Sequence, residues 1–229
     1  MLNIEKISTI VPYTDEFWKS RVGRMTGCKI SCLCGERGIG EGGLTYIRSK
    51  VCELISGKTS EVNVTNEATA WGIVNEPISL QYYQQKYQVP VIITDKHLIE
   101  NDRYAVTPDG LIILKDFGDN YDCETLESKS FPTYATHMEH CECETALDIK
   151  KINKPLYWQV IMQMHVADTL IGNACFFHPD FAEDTGLRMH RVVFRKIDLI
   201  EDFKTFKQRL VEAENIFNTK YEKFKTKTI

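Results

Sequence analysis

The stretch from residue 107 to 129 constrains this chain more than any other part of it. It reads Thr-Pro-Asp-Gly-Leu-Ile-Ile-Leu, then a polar interval, then Cys-Glu-Thr-Leu-Glu-Ser-Lys. Two strand-like runs this close in sequence suit a hairpin. Strand side chains alternate between faces, so Glu127 and Lys129 share one face, and the hairpin returns that face to Asp109. Two carboxylates and an ammonium converging there make a site for a divalent metal, with a lysine beside the water to be activated. Such a site suits phosphodiester hydrolysis. Taken singly, the parts have plainer explanations. Asp109-Gly110 between apolar runs is a common hairpin turn, and Glu127-Ser128-Lys129 alone is more often an exposed strand face.

With 229 residues, 43% of them hydrophobic and 26% charged, the chain is expected to form one domain around one sizeable core. No apolar run approaches the roughly 18 residues that a membrane span needs, and no signal-peptide pattern opens the chain, so a cytoplasmic protein is expected. The eight cysteines are irregularly spaced and read as reduced thiols. A net charge of −4 argues against coating nucleic acid by bulk attraction. It leaves room for an enzyme with a local basic groove and an acidic metal site.

The pattern predicts a short helix giving way to a turn over 16–26 and a mobile glycine-rich loop over 34–43. A helix over 44–56 follows, with Gly57 as its C-cap. The loop is not a Walker loop, because no Gly-Lys-Ser/Thr closes it. A helical region over 66–88 contains Pro77, which is expected to kink the helix or begin a new one. Strands are predicted at 90–94, 104–106, 111–114 and 123–129. A helix over 155–170 carries an apolar stripe at 156, 160, 161, 164, 167 and 170. Strands at 173–178 and 189–197 and an amphipathic helix over 198–224 complete a mixed α/β chain. Phe203, Phe206, Leu210, Phe217, Tyr221 and Phe224 on that last helix have core-facing spacing, and its basic end over 220–227 lines a groove or is solvated.

The order of the blocks resembles the PD-(D/E)xK nuclease superfamily, and within it the lambda-exonuclease or YqaJ-like viral recombinase family. Trp18, Arg21 and Thr26-Gly27-Cys28 match an N-terminal block. Ala70-Trp71-Gly72-Ile73-Val74-Asn75-Glu76, Thr107-Pro108-Asp109-Gly110-Leu111, Glu127-Ser128-Lys129 and Gln159-Val160 match the rest, over roughly residues 16–170. The resemblance implies a restriction-endonuclease-like core: a central mixed sheet flanked by helices. DNA-end-binding helices and the glycine-rich loop would occupy about 1–60, the catalytic core 61–197, and the C-terminal helix 198–224.

It also implies residue roles. Asp109, Glu127 and the main-chain carbonyl of Ser128 would bind Mg²⁺ or Mn²⁺, with Glu76 adding a ligand directly or through water. Lys129 would orient the attacking water, and Gln159 would hold Lys129 or that water. Arg21, Thr107 and Cys28 would grip a 5′-phosphate, and Arg37 would reach the nucleic acid. Cys28 stands where the family has a hydroxyl, a better donor than a thiol. The activity implied is 5′-to-3′ digestion of linear duplex DNA to leave a 3′ overhang, by a homotrimer working with a single-strand annealing protein. An endonuclease or single-strand nuclease on the same core is the enzymatic alternative. A silent DNA-end-binding module is the alternative from another class.

Two features stand outside this scheme. Gln163, one turn beyond Gln159, reads as a polar helix position. The His137-Met-Glu-His140-Cys141-Glu-Cys143 cluster holds the residue types zinc prefers. Its spacing is too tight for a tetrahedral set, so a solvated helical turn is the expectation. Only Cys175 follows the Gln159 helix, which argues against an iron–sulfur cluster.

Overall fold

The computed structural model describes residues 1–12, 14–60 and 66–225. Its strands are β1 (Leu2–Asn3), β2 (Met25–Thr26), β3 (Ile92–Ile93), β4 (Leu98–Ile99), β5 (Tyr104–Val106), β6 (Gly110–Asp116), β7 (Asn120–Lys129), β8 (Ile171–Phe177) and β9 (Met189–Arg195). The helices are α1 (Asp15–Ser20), α2 (Glu41–Ser56), α3 (Glu67–Tyr87), α4 (Tyr134–Cys141), α5 (Ala146–Ile152), α6 (Lys154–Val166) and α7 (Ile200–Lys225). A 3₁₀ stretch covers Gly27–Leu33.

The main sheet has the order β3-β6-β7-β8-β9, with β1 added to the N-terminal half of β7. β7 and β8 run parallel, and the other neighbours are antiparallel. The sheet is therefore mixed, and the parallel step is bridged by α4, α5 and α6. A second sheet, β2-β5-β4, lies beside it. β6 and β7 form the predicted hairpin, pairing Gly110 with Leu126, and the register slips once between Ile113 and Lys115. The turn sits at residues 117–119, beyond the ends of both strands. Asp109-Gly110 is not a turn but the entrance to β6.

Alternation along the strands feeds two cores. Leu111, Cys123, Ala174, Phe176, Val192 and Phe194 face the larger one, which α6, α2 and α7 complete. Ile112, Leu126, Cys175, Phe177 and Met189 face the smaller one, closed by Leu80 and Tyr83 of α3. A sheet covered on both faces needs apolar residues at successive positions, and β8 supplies them with Ala174, Cys175, Phe176 and Phe177 all buried.

Several expectations are corrected. α3 is continuous through Pro77. The proline is exposed, as is Ile73 one turn earlier, so the carbonyl that loses its amide partner lies on the wet side of the helix. The last three residues of the glycine-rich loop, 41–43, are the first turn of α2. A Cβ at Gly43 would stand 2.6 Å from the Cys32 carbonyl oxygen, so the glycine permits close approach of two segments. α6 stops at Val166, and Leu170 is 72% exposed rather than part of the buried stripe.

The histidine cluster is buried rather than solvated. His137 and His140 pack among Phe131, Phe176 and Phe181, and each gives a ring nitrogen to a carbonyl, of Leu187 at 2.7 Å and Thr136 at 2.8 Å. On α7, Phe203, Phe206, Leu210 and Phe217 are buried, while Phe224 is exposed. The domain boundary expected at residue 61, and Lys227 of the basic end, lie outside the described residues. Among the described residues no helix is long and apolar enough to cross a membrane.

Candidate active site

The hairpin decides the site. Because Gly110 pairs with Leu126, the residue before β6 falls beside Glu127, and the Ser128 amide donates to Asp109 Oδ2 at 2.7 Å. Glu127 is fully buried, and Lys129 lies two residues on along the same face, its ammonium bonded to Glu127 Oε1. Side-chain alternation then sends Glu127 towards α6 and Ser128 towards α3. From α6, Gln159 Nε2 donates to Glu127 Oε1 at 2.6 Å. From α3, Ser79 Oγ bonds Ser128 Oγ at 2.7 Å. The catalytic-type strand is thus held from both sides by helices.

These groups open into a cavity of about 560 Å³. Asp109, Glu127, Ser128, Lys129, Gln159 and Glu76 line it, and so do Arg21, Cys28 and Thr107. Its apolar wall includes Phe17, Trp18, Ile73 and Phe131. Ten of the eleven residues singled out from sequence can thus be accounted for around one cavity or its walls, once Trp18 is included. Arg37 is the exception, exposed on the loop before α2 and not among the lining residues.

The electrostatics are those of a site short of positive charge. Burial, and then the Glu127 carboxylate, push the Asp109 carboxyl well above its usual range, although Lys129 and the Ser128 amide pull the other way. The Glu76 carboxyl is raised by burial and by Glu127. Burial acts to lower the Lys129 ammonium pKa, but Glu127 and Asp109 outweigh it, so the lysine is held protonated above its usual value. One ammonium does not neutralise three carboxyls.

Hard oxygen donors with surplus negative charge fit a hard divalent cation. Among the described residues no three His, Cys, Asp or Glu side chains form a ready-made metal cage. Mg²⁺ does not require one, because it keeps several waters and binds through one or two carboxylates.

At the other end of the cavity Arg21 is held in place. Its guanidinium lies 5.1 Å from the Phe17 ring centroid and 5.6 Å from that of Trp18, and Nη2 donates to Thr26 Oγ1 at 3.2 Å. The same nitrogen is 3.8 Å from Cys28 Sγ. Thr26 is anchored in turn by its amide, which donates to Tyr46 Oη at 2.8 Å. Thr107 Oγ1 bonds His97 Nδ1 at 3.0 Å, and the other His97 nitrogen reaches Ser20 Oγ at 3.2 Å.

Three site residues escape the sequence. Gln159 bonds Glu127 rather than Lys129, and Gln163 also reaches Glu127, donating from Nε2 to Oε2. The four-residue spacing from Gln159 was its only signal. Asp95 lines the cavity with φ 58, a left-handed backbone uncommon for a residue with a Cβ. His97 sits fully buried behind Thr107. Nothing local marks either one.

Comparison with solved structures gives the same architecture. The crystal structure of an alkaline exonuclease (LHK-Exo) from Laribacter hongkongensis superposes with a TM-score of 0.67 at 18% identity, covering 93% of this chain and 99% of that one. A structure of LHK-Exo in complex with dAMP matches equally well. A phage-related exonuclease from Haemophilus somnus 129PT gives 0.62 at 14% identity, over 88% of this chain and 96% of that one. These likenesses establish the restriction-endonuclease-like fold. No curated protein matches the sequence. The model of the YqaJ-like viral recombinase domain matches residues 16–170, a span that holds the hairpin, the carboxylates and lysine of the site and both glutamines, and the chain belongs to that family.

Proposed function

We propose that the protein is a phage-type recombination exonuclease that digests the 5′-phosphorylated strand of linear duplex DNA and leaves a 3′ overhang. The observation that carries this is the seating of Asp109, Glu127 and Lys129 on one hairpin, with the Ser128 amide fixing Asp109. Asp109, Glu127, the Ser128 main-chain carbonyl and Glu76 are the residues to hold Mg²⁺, or Mn²⁺ in its place. When bound, such an ion polarises the phosphorus–oxygen bond and neutralises developing negative charge.

The chain's own residues do the rest. Lys129 orients the attacking water and stabilises charge beside it. Gln159, bonded to Glu127 Oε1, keeps that carboxylate turned to the cavity. Arg21, held by Thr26 and the two rings, offers a guanidinium to a terminal phosphate, with Thr107 and Cys28 as neighbours. Arg37 contacts DNA farther along its path. The family membership and the two exonuclease folds, one holding dAMP, support a product of mononucleotide size. We extend the reading to a homotrimer acting on duplex ends in the host cytoplasm, with a single-strand annealing protein taking up the overhang.

The test is cleavage with Mg²⁺ of a linear duplex carrying a 5′-phosphate at one end. A closed circle, a 5′-hydroxyl duplex and Lys129→Ala protein run beside it. Loss of the phosphorylated strand alone, with the circle intact, is the expected result. Cutting of the circle would move the protein to the endonucleases. No cleavage under any divalent metal would refute the reading.

A further inference from the structure

Glu127 has two oxygens, and they are served from different places. Oε1 takes Lys129 Nζ and Gln159 Nε2, both from residues that line the cavity. Oε2 takes Gln163 Nε2, from a side chain only 1% exposed that is not among the lining residues. Gln159 and Gln163 stand one helical turn apart on α6, about 6 Å along the axis, so a single helix face reaches both oxygens. A carboxylate can only accept, so the orientation of the Gln163 amide is set by chemistry: its nitrogen faces Glu127. The amide oxygen finds no partner among the described residues.

That arrangement is hard to justify as packing. Gln163 lies between Met162 and Met164 in a core of apolar side chains, all fully or almost fully buried. An amide taken out of water there leaves one polar atom unpaired, which an apolar side chain of the same length would not do. Its sole hydrogen bond among the described residues is the one to Glu127.

We infer that Gln163 is a positioning residue for the proposed metal site. It pins Oε2 on the core side, which fixes the plane of the Glu127 carboxylate and presents Oε1 to the cavity. Without that donor, Oε2 is buried unpaired, and the carboxylate is free to turn towards other donors. The inference rests on the reading of Glu127 as a metal ligand. Partners standing behind a ligating side chain typically account for tenfold to a hundredfold in metal affinity or activity.

The test uses Gln163→Met, which keeps length and burial and removes the donor. Mn²⁺ binding is measured directly by titration calorimetry on the full chain without DNA. Wild-type and variant kcat and half-activating Mg²⁺ concentration are then compared. Affinity of each protein for a duplex end in metal-free buffer serves as the control. The expected result is Mn²⁺ affinity weaker by roughly tenfold to a hundredfold, a matching rise in half-activating Mg²⁺, and unchanged end binding. A merely structural role would not move metal affinity while sparing end binding. Gln163→Leu repeats the measurement if the Met variant does not fold.

Unaltered Mn²⁺ binding and cleavage in the folded variant would overturn the inference alone. Failure of the wild-type chain to bind Mn²⁺ at all would overturn the metal-site reading and this inference with it.

Discussion

Replacing His97 with glutamine should remove a large part of the acid sensitivity of the fold. His97 is fully buried, edge-on to Phe17 at 5.0 Å, with one ring nitrogen on Thr107 and the other near Ser20. Burial, and then the nearby charges of Arg21 and Arg24, push its pKa down to about 4. The unfolded chain takes up a proton near pH 6.5, the folded one only near 4. Stability is therefore complete above pH 6.5 and is lost as pH falls through that interval. A gap of about 2.5 pH units at about 1.36 kcal/mol each amounts to about 3 kcal/mol, of which about 2 is gone by pH 5. For a chain of this length that is a fall in Tm of roughly 4–8 °C. Glutamine keeps a donor and an acceptor for the same partners but does not titrate. The assay is thermal unfolding of both proteins at pH 7.5 and 5.0, and the quantity read is the difference between their pH-induced shifts. Equal shifts in the two proteins would refute the reasoning, because the proton would then be landing elsewhere.

Three further outcomes follow from the same geometry. Lys129→Ala should lower cleavage by at least about a hundredfold while metal and DNA binding stay largely intact, whereas Asp109→Ala should lose metal binding too, as titration calorimetry would show. Glu53→Ala should cost about 2–4 kcal/mol in urea unfolding, because it removes the carboxylate bonded to the buried Lys50 ammonium and the acceptor for the Gly23 and Ser60 amides; a cost near zero would mean the pair is replaceable. Gly172→Ala should cost about 1–3 kcal/mol, since the new methyl would stand 2.7 Å from Met164 Cγ and 2.9 Å from Val160 Cγ1, and a Tm equal to wild type would show that α6 yields freely.

What could be read beforehand is what depends on short spacings. Glu127 and Lys129 share a face because they are two apart, and Asp109 meets them because β6 and β7 are adjacent antiparallel strands. The apolar stripe of α6 and the aromatic stripe of α7 were equally local. What escaped depends on which surfaces meet. Gln163 is polar in sequence, yet its face of α6 lies against Glu127, so a position read as neutral became a buried donor. The His137 turn was expected in water because its own residues are polar. The rings that bury it come from Phe131, Phe176 and Phe181, on three separate segments. Pro77 was expected to kink the helix or begin a new one, and it begins none: the cost of a missing helical bond depends on whether the freed carbonyl is wet, and only the fold decides that.

The slip in register between Ile113 and Lys115 divides the hairpin into two parts that can change independently. Towards the site, from Gly110 to Ile113 on one strand and Cys123 to Leu126 on the other, every residue is counted. One added residue there reverses parity, and Glu127 turns from the α6 side to the α3 side. Beyond the irregularity an extra residue is already accommodated, and the tip at 117–119 ends in exposed positions. Length can therefore vary at the tip at little cost, while the stem tolerates insertions only in pairs. An alignment of relatives should show gaps of any size at the tip and none of odd length between it and Glu127.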